Sequence, residues 1–247
     1  MAIAIDGYRP RPRSTCWTAV GHAYRAPTTM SIVREAFHGD LNQLGQQLAA
    51  MCDAAAAAMR HATRALLEAD LRLAEQVLSA DAALDVQRAQ CEEQAYSLLA
   101  LQSPVARDLR IVLAATYCAQ KIERMGDLAA HIADTARFTH PQHAVPAELA
   151  DTFAELGEIA AAMADRLAVL VTAPAAGSFA ELEEIDCRVD RQHAAVLAQI
   201  SAVDFPHGPQ TAANLALVAR FYERFGDQAV SVAKRLDFAA TGQTPTA

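Results

Sequence analysis

The sequence has few of the residues that interrupt helices. Only ten glycines and ten prolines occur among 247 residues, and aromatic residues make up 6% of the chain. This scarcity of turn residues and of β-branched runs argues against an all-β fold. The chain contains 57 alanines, and alanine is the strongest helix former. We therefore predict an all-α fold.

Other scarcities exclude classes of function. No uncharged apolar run reaches about 18 residues, so no membrane-spanning helix is predicted. Lysine occurs only twice, the 19 arginines are interleaved with carboxylates, and the net charge is −8. This balance is unfavourable for nucleic-acid binding, which needs clustered basic residues. Five cysteines without a CxxC pair are typical of a reducing compartment and predict no disulfide framework and no zinc ribbon.

Apolar periodicity and turn residues divide most of the chain into six helices. The predicted ranges are about 31–67, 70–101, 104–138, 147–171, 178–203 and 210–238. Ser103 is predicted to cap a helix that begins at Pro104, and Ser178 with Glu181 is predicted to form a capping box. Residues 1–29 lack helical periodicity and are interpreted as a disordered extension. Residues 30–140 and 145–240 are predicted to form two tandem three-helix bundles.

The two halves carry a repeated motif. Glu123-Arg-Met-Gly-Asp127 lies in the third helix, and Glu223-Arg-Phe-Gly-Asp227 lies in the sixth, 100 residues later. A glycine inside a helix costs about 1 kcal/mol relative to alanine. Its recurrence at Gly126 and Gly226 therefore predicts that another backbone approaches closely at both positions. The repeat indicates that the two bundles are related.

A second repeated feature is a pair of aspartates spaced four residues apart, once in the second helix and once in the fifth. Residues with this spacing lie on one face of a helix. In an antiparallel hairpin, residues equidistant from the turn lie level, so each pair is predicted to face the Glu and Asp of the repeated motif. Each hairpin then brings four carboxylates together about 30 Å from its turn. The eight residues are Asp81, Asp85, Glu123, Asp127, Asp186, Asp190, Glu223 and Asp227.

Clustered carboxylates have two interpretations. Like charges four residues apart destabilise a helix, and hard metal cations prefer oxygen ligands, so metal ions on the bundle surface would offset the repulsion. The eight residues are thus the predicted metal ligands. Alternatively, the clusters are solvated faces without metal, neutralised by arginine. The candidate neutralising residues are Arg88, Arg124, Arg188 and Arg224.

Other patterns predict no further site. Glu35 with His38, and Asp190 with His193, have ligand-like spacing, but a di-iron centre in a four-helix core needs two such motifs and two further glutamates. We interpret these histidines as surface residues. No spacing indicates a nucleophile with its base, and no glycine-rich phosphate loop occurs. We therefore predict no catalytic residue, no organic cofactor and no enzymatic activity.

These motifs resemble those of the PhoU family of phosphate-signalling regulators. The resemblance covers about 30–240 and includes the duplicated pentamer, the acidic pairs and the run Leu101-Gln-Ser-Pro-Val-Ala-Arg-Asp-Leu-Arg110. It implies a cytoplasmic, homodimeric, all-α protein that keeps phosphate homeostasis by repressing the phosphate-starvation (Pho) response. The implied partners are the ATP-binding subunit of the phosphate ABC transporter and a phosphate-sensing histidine kinase, so membrane contact occurs only through partners. The implied metals are iron, zinc, manganese or magnesium on the carboxylate clusters.

The sequence also departs from the family pattern. Lys121 and Phe221 stand where members often carry aspartate, and Leu128 and Gln228 stand where many carry histidine. These departures leave the expected fold unchanged and affect the expected metal sites, the first more than the second. Two alternative functions stay open: a metal-dependent hydrolase or oxidase on the carboxylate clusters, and a helical scaffold without metal.

Overall fold

The structure, a computed structural model, describes residues 28–175 and 177–244. Its helices are α1 (Thr28–Glu68), α2 (Leu71–Gln102), α3 (Ala106–Thr139), α4 (Ala150–Thr172), α5 (Ser178–Ile200) and α6 (Gly208–Thr241). No strand occurs in these two ranges, in agreement with the predicted all-α fold. The expected disordered extension over 1–29 lies outside the described residues, apart from its last two residues, which begin α1.

Two predicted helix starts are wrong. Ser103 has a φ of 45° and terminates α2, and α3 begins after Val105 with no side-chain cap. Ser178 lies inside α5, where its hydroxyl donates to Asp237 Oδ1 of α6 at 2.6 Å. Glu181 accepts from Arg166 Nε of α4 at 2.7 Å and makes no capping box. A short polar side chain can hydrogen-bond to a nearby backbone group or to a residue distant in sequence. The Ser178 hydroxyl bonds to the distant residue, Asp237.

The helices pack as two related bundles with a shared core. Helices α1, α2 and α3 contact one another, and so do α4, α5 and α6. The halves join where α1 packs on α4 and α3 packs on α6. Buried apolar residues from all six helices form one continuous cluster. Small residues such as Ala55, Ala119 and Ala160, all fully buried, allow the helices to lie close together.

The connection between the halves is attached to the end of α1. His143 Nδ1 hydrogen-bonds to Leu67 O at 2.8 Å, and His140 Nδ1 to Ala69 O at 3.0 Å. The last carbonyls of a helix have no partner inside the helix, and these histidines supply one. The linker therefore continues the packing of α1 and does not separate the bundles.

One contact fixes the rotation of α6. Tyr222 is fully buried, and its hydroxyl forms a 2.9 Å hydrogen bond with Thr63 Oγ1 of α1. The buried Tyr222 ring turns this face of α6 toward the core, and Thr63 supplies the partner that a buried hydroxyl needs. The acidic residue that follows it, Glu223, then lies toward α5. Among the described residues, no helix combines the length and apolarity needed to cross a bilayer.

Candidate functional site

The first acidic cluster consists of Asp81 and Asp85 on α2 with Glu123 and Asp127 on α3. Partial burial, together with repulsion from Asp127 and Asp85, raises the pKa of Asp81. The same causes raise the pKa of Glu123. This mutual effect shows that the α2–α3 hairpin brings the four predicted carboxylates together at one level.

Two arginines neutralise the first acidic cluster. Arg88 lies 3.5 Å from Asp85, 3.0 Å from Glu92 and 4.0 Å from Glu123. Arg124 Nη1 donates to Asp127 Oδ2 at 2.6 Å. These are two of the four predicted cations. Arginine stays charged throughout the physiological pH range, so the compensation is permanent.

The second acidic cluster consists of Asp186 and Asp190 on α5 with Glu223 and Asp227 on α6. Burial, followed by repulsion from Asp190, Asp227 and Glu223, raises the pKa of Asp186 to about 7. Burial and repulsion from Asp227 also raise the pKa of Glu223. The α5–α6 hairpin thus repeats the arrangement of the first half, with a stronger perturbation.

The cations of the second acidic cluster differ from those predicted. Arg188 turns away and lies 3.5 Å from Glu155 of α4. Arg224 makes no ion pair within the described part of the chain. Arg220, which is not among the four predicted neutralising arginines, pairs with Glu223 instead. The compensation here is therefore smaller than in the first acidic cluster.

A histidine replaces an arginine in the second half. His193 follows Asp190 by three residues, as Arg88 follows Asp85, and it lowers the pKa of Glu223. The sequence pattern had indicated an ordinary surface residue at His193. An alignment of the acidic pairs of the two halves, in addition to the pentamers, would have shown that His193 occupies the position of Arg88.

The repeated glycines make room for side chains, not for a backbone as predicted. A Cβ at position 226 would lie closer than 3.0 Å to Asp186 Oδ1, a distance that real Cβ atoms essentially never show. A Cβ at position 126 would lie equally close to Leu84 Cδ2, and 3.6 Å from Asp81 Oδ1. Gly226 therefore leaves space for the first aspartate of α5, Asp186, whereas Gly126 leaves space for Leu84 of α2.

The second acidic cluster has unsatisfied oxygen atoms. Asp186 Oδ1 and Glu223 Oε2 are buried and have no hydrogen-bond partner. Buried polar atoms without a partner are costly, and carboxylate oxygens suit hard cations. The donor set therefore fits a metal ion better in the second cluster than in the first, where arginines occupy the carboxylates. Over the described ranges, no three acidic, histidine or cysteine side chains converge in a geometry that would enclose a metal.

Lys121 does not compensate the first acidic cluster. Its Nζ lies 5.5 Å from the centre of the Tyr117 ring, and Arg88 is the cation that lowers the pKa of Glu123. The lysine that departs from the family pattern thus belongs to another surface, the seam between α3 and α6.

Comparisons with known proteins agree with the motif pattern. The family model described as the PhoU domain matches residues 48–136 and 153–236. The phosphate-specific transport system accessory protein PhoU homolog 1 of Mycobacterium leprae is 42% identical over 213 residues, which are 86% of this chain and 96% of that protein. PhoU homolog 2 of Mycobacterium tuberculosis is also 42% identical over 213 residues, covering 86% of this chain and all of that protein.

Solved structures share the fold. The crystal structure of the phosphate transport system regulatory protein PhoU from Streptococcus pneumoniae has a TM-score of 0.75 at 22% identity, covering 85% of this chain and 100% of that one. PhoU from Pseudomonas aeruginosa has a TM-score of 0.75 at 23% identity, covering 84% and 100%. At these identities the likeness concerns the arrangement of the helices.

Proposed function

Because this chain belongs to the PhoU family, matched in both of its halves, we propose that it is a cytoplasmic negative regulator of the phosphate-starvation response and of phosphate uptake. In this proposal it connects the ATP-binding subunit of a phosphate ABC transporter with a phosphate-sensing histidine kinase. The observation that supports it most is the 42% identity to phosphate-specific transport accessory proteins over 86% of the chain. The relatives are matched over nearly their whole length, so the proposal concerns an entire regulator and not one shared module.

The surface of the protein suits an adaptor. Exposed apolar side chains occur at several places on the helices, including Tyr96, Leu101 and Val105 around the α2–α3 turn. Leu101 and Val105 lie in the 101–110 run that carries the resemblance. Apolar side chains left in water contribute to binding when a partner covers them. We include homodimerisation in the proposal, and light scattering of the purified protein tests it.

We also propose that the acidic clusters bind metal ions such as iron, zinc, manganese or magnesium. The support is the set of carboxylate donors, with its unsatisfied Asp186 and Glu223 oxygens. Burial and repulsion from its acidic neighbours raise the pKa of Asp186, and a bound cation would offset that repulsion. The chain's own contribution is to hold four carboxylates level on each hairpin and, in the second half, to keep space for Asp186 beside Gly226.

Gene deletion with complementation tests the regulatory proposal. In phosphate-rich medium, deletion should induce phosphate-starvation genes, and expression of residues 30–247 should restore repression. Induction that never rises, even when any related copy is deleted as well, would contradict the proposal. Pull-down of the two partners by the purified protein would then separate loss of regulation from loss of binding.

A variant with four substitutions tests whether the acidic clusters matter in the cell. Glu123, Asp127, Glu223 and Asp227 are changed to alanine together. The matched control changes four exposed carboxylates outside both clusters: Glu35, Glu75, Glu93 and Glu184. Repression lost only in the first variant would support a role for the clusters, provided both variants are expressed and folded equally. Equal repression in both would remove the clusters from the mechanism.

A further inference from the structure

The seam between α3 and α6 carries a group of cations separate from the acidic clusters. We define the cationic cluster as Lys121, Lys234 and Arg235, which includes both lysines of the chain. None of the three pairs with a carboxylate within 4.0 Å in the described part of the chain. In a protein with a net charge of −8, three such cations near one seam need an explanation.

Aromatic rings hold these cations in place. Arg235 Cζ lies 4.3 Å from the centre of the Tyr117 ring and 5.9 Å from that of Phe238. Lys121 Nζ lies 5.5 Å from the same Tyr117 ring, and Lys234 Nζ lies 5.2 Å from the Phe179 ring. Such cation–π contacts orient a charged group without neutralising it. The charge therefore remains available to a ligand.

Lys234 and Arg235 line a cavity at the seam, and Lys121 lies beside Tyr117, whose ring also lines it. The cavity has a volume of about 250 Å³. It is lined by Tyr117, Ser231, Lys234, Arg235, Phe238 and Thr244. The lining thus combines positive charge with hydroxyl groups, which donate hydrogen bonds to anionic oxygens.

The fold does not require these charges. Counting by the internal repeat, Lys121 corresponds to Phe221, Lys234 to Asp134 and Arg235 to Thr135. Near the other end of the same seam, His131 stacks on Phe221 with ring centres 5.2 Å apart. The related positions thus pack with neutral or acidic residues, so helix packing alone does not explain the cationic cluster.

The buried carboxylate nearest in sequence is engaged elsewhere. Asp237, two residues after Arg235, accepts hydrogen bonds from Ser178 Oγ at 2.6 Å and from Phe179 N at 3.0 Å. These bonds direct its oxygens toward the start of α5. Asp237 therefore does not take the role of an internal counterion for Arg235.

We propose that the cationic cluster binds a phosphoryl group, either as inorganic phosphate or as part of a phosphate ester. A phosphoryl group carries up to two negative charges on three oxygens. A guanidinium, ammonium groups and hydroxyls are the donors that recognise such an anion. The inference goes beyond the proposed function and stands without it, since it concerns a ligand of the isolated protein.

Calorimetric titration of the full chain tests the site. The protein is first freed of metal with a chelator, so that phosphate held by metal on the acidic clusters does not contribute. We expect one site for inorganic phosphate at low ionic strength. Arg235→Gln and Lys121→Gln should each weaken binding roughly tenfold or more, the loss expected for a charged hydrogen-bond partner. The matched control is Arg34→Gln, which removes the same charge from an exposed position on α1 and should leave the affinity unchanged.

Further arms identify the source of the phosphoryl group. Inorganic phosphate, adenosine monophosphate and vesicles of phosphatidic acid in phosphatidylcholine are titrated separately. A probe whose binding weakens in Arg235→Gln and Lys121→Gln identifies the source and supports the site. Absence of binding by all three probes would overturn the proposal, and so would equal affinity in the wild type and both variants.

Circular dichroism and thermal melting establish that each variant is folded. If Arg235→Gln unfolds, two variants replace it in the test. Arg235→Lys keeps the charge, and Lys121→Gln changes a residue at the edge of the seam. Because this test uses no transporter, kinase or living cell, its failure is distinguishable from failure of the regulatory proposal.

Discussion

The two acidic clusters have the same carboxylates and different cations. In the first, Arg88 lies near two of the four carboxylates and the neighbouring Glu92, and Arg124 pairs with Asp127. In the second, His193 stands in the place of Arg88, and the pKa of Asp186 is raised to about 7 by burial and by its acidic neighbours. The repeated halves have therefore kept the arrangement of negative charge and diverged in how that charge is neutralised. The second acidic cluster has the greater unmet demand for a cation.

The glycines of the two clusters also face different neighbours. Gly126 lies against Leu84 of α2, which is buried, whereas Gly226 lies against the end of the Asp186 side chain. A buried leucine side chain is held by the core on all sides, and a half-buried carboxylate is free to rotate outward. The repeated glycine thus leaves space for a core leucine in the first half and for a carboxylate in the second.

The largest expected effect follows from placing a leucine at either glycine. Gly126→Leu and Gly226→Leu should each lower the free energy of unfolding by about 3 kcal/mol, since the side chain would overlap the facing helix and force it to shift. Chemical denaturation measures the change. An unaltered denaturation midpoint in either variant would contradict the close contact at that glycine.

Alanine at the same positions separates the two halves. Gly126→Ala should be destabilised by about 1 to 2 kcal/mol, because Leu84 must move within the core. Gly226→Ala should be nearly neutral, because Asp186 can rotate away and alanine favours the helix by about 1 kcal/mol. Equal loss of stability in both variants would show that the two glycines have the same role.

The next effect concerns the pH dependence of stability in chelated, metal-free protein. The folded-state pKa of Asp186, about 7, lies above its ordinary value of 3.8. The stability associated with this carboxyl is therefore complete below about pH 4 and is lost as the pH rises through about 7. Asp186→Asn should match the wild type at low pH and exceed it by about 2 kcal/mol at pH 8, after allowance for solvent screening. Denaturation curves over this pH range measure the difference.

Asp81→Asn is the matched control for that experiment. The pKa of Asp81 is also raised, but arginines neutralise its cluster. The gain in stability of Asp81→Asn at high pH should therefore be smaller. A larger gain for Asp81→Asn than for Asp186→Asn would reverse the comparison between the clusters.

Metal affinity should follow the same order. Titration of the chelated protein with Mn²⁺ should show tighter binding at the second acidic cluster by about tenfold, equivalent to about 1.4 kcal/mol. The double variant Glu223→Ala with Asp227→Ala should lose the tighter site, and Glu123→Ala with Asp127→Ala should keep it. His193→Arg should weaken the tighter site by adding a permanent positive charge. If none of these changes altered the Mn²⁺ affinity of the tighter site, the second cluster would be excluded as its location.

The smallest effect separates two ion pairs. Arg220→Gln should change the free energy of unfolding by less than about 0.5 kcal/mol, because a single ion pair with a half-exposed arginine contributes little. Arg88→Gln should cost about 1 kcal/mol, since Arg88 serves several carboxylates at once. Thermal unfolding of both variants at low salt measures the difference. A cost for Arg220→Gln that matches or exceeds that of Arg88→Gln would contradict the stronger compensation of the first cluster.

The periodicity of the sequence predicted the helices closely, and the hairpin geometry predicted which carboxylates would meet. Helix α2, predicted over 70–101, spans Leu71–Gln102, and α4, predicted over 147–171, spans Ala150–Thr172 after a short 3-10 turn at Ala147–Leu149. Helical spacing and antiparallel turns depend on local chain geometry, which a sequence pattern expresses directly. The metal sites and the bundle boundaries stay predictions.

Several of the predictions that proved wrong concern the choice among competing partners. Ser178 donates to Asp237 in place of a local cap, Arg188 pairs with Glu155, and Arg220 replaces it at the second acidic cluster. Ser178 and Arg188 each had a predicted partner closer in sequence than the one that it contacts. Which contact forms depends on the helix that packs beside the side chain.

An all-α chain, its internal repeat and two level sets of four carboxylates are predictable from the sequence, because they follow from spacing along helices joined by short turns. Only the tertiary structure decided which cations reach those carboxylates and which atoms the repeated glycines admit. It alone also placed Lys121, Lys234 and Arg235 at one seam. Long side chains select partners through the packing of α3 on α6 and of α1 on α4, and that packing joins residues more than a hundred positions apart in the chain.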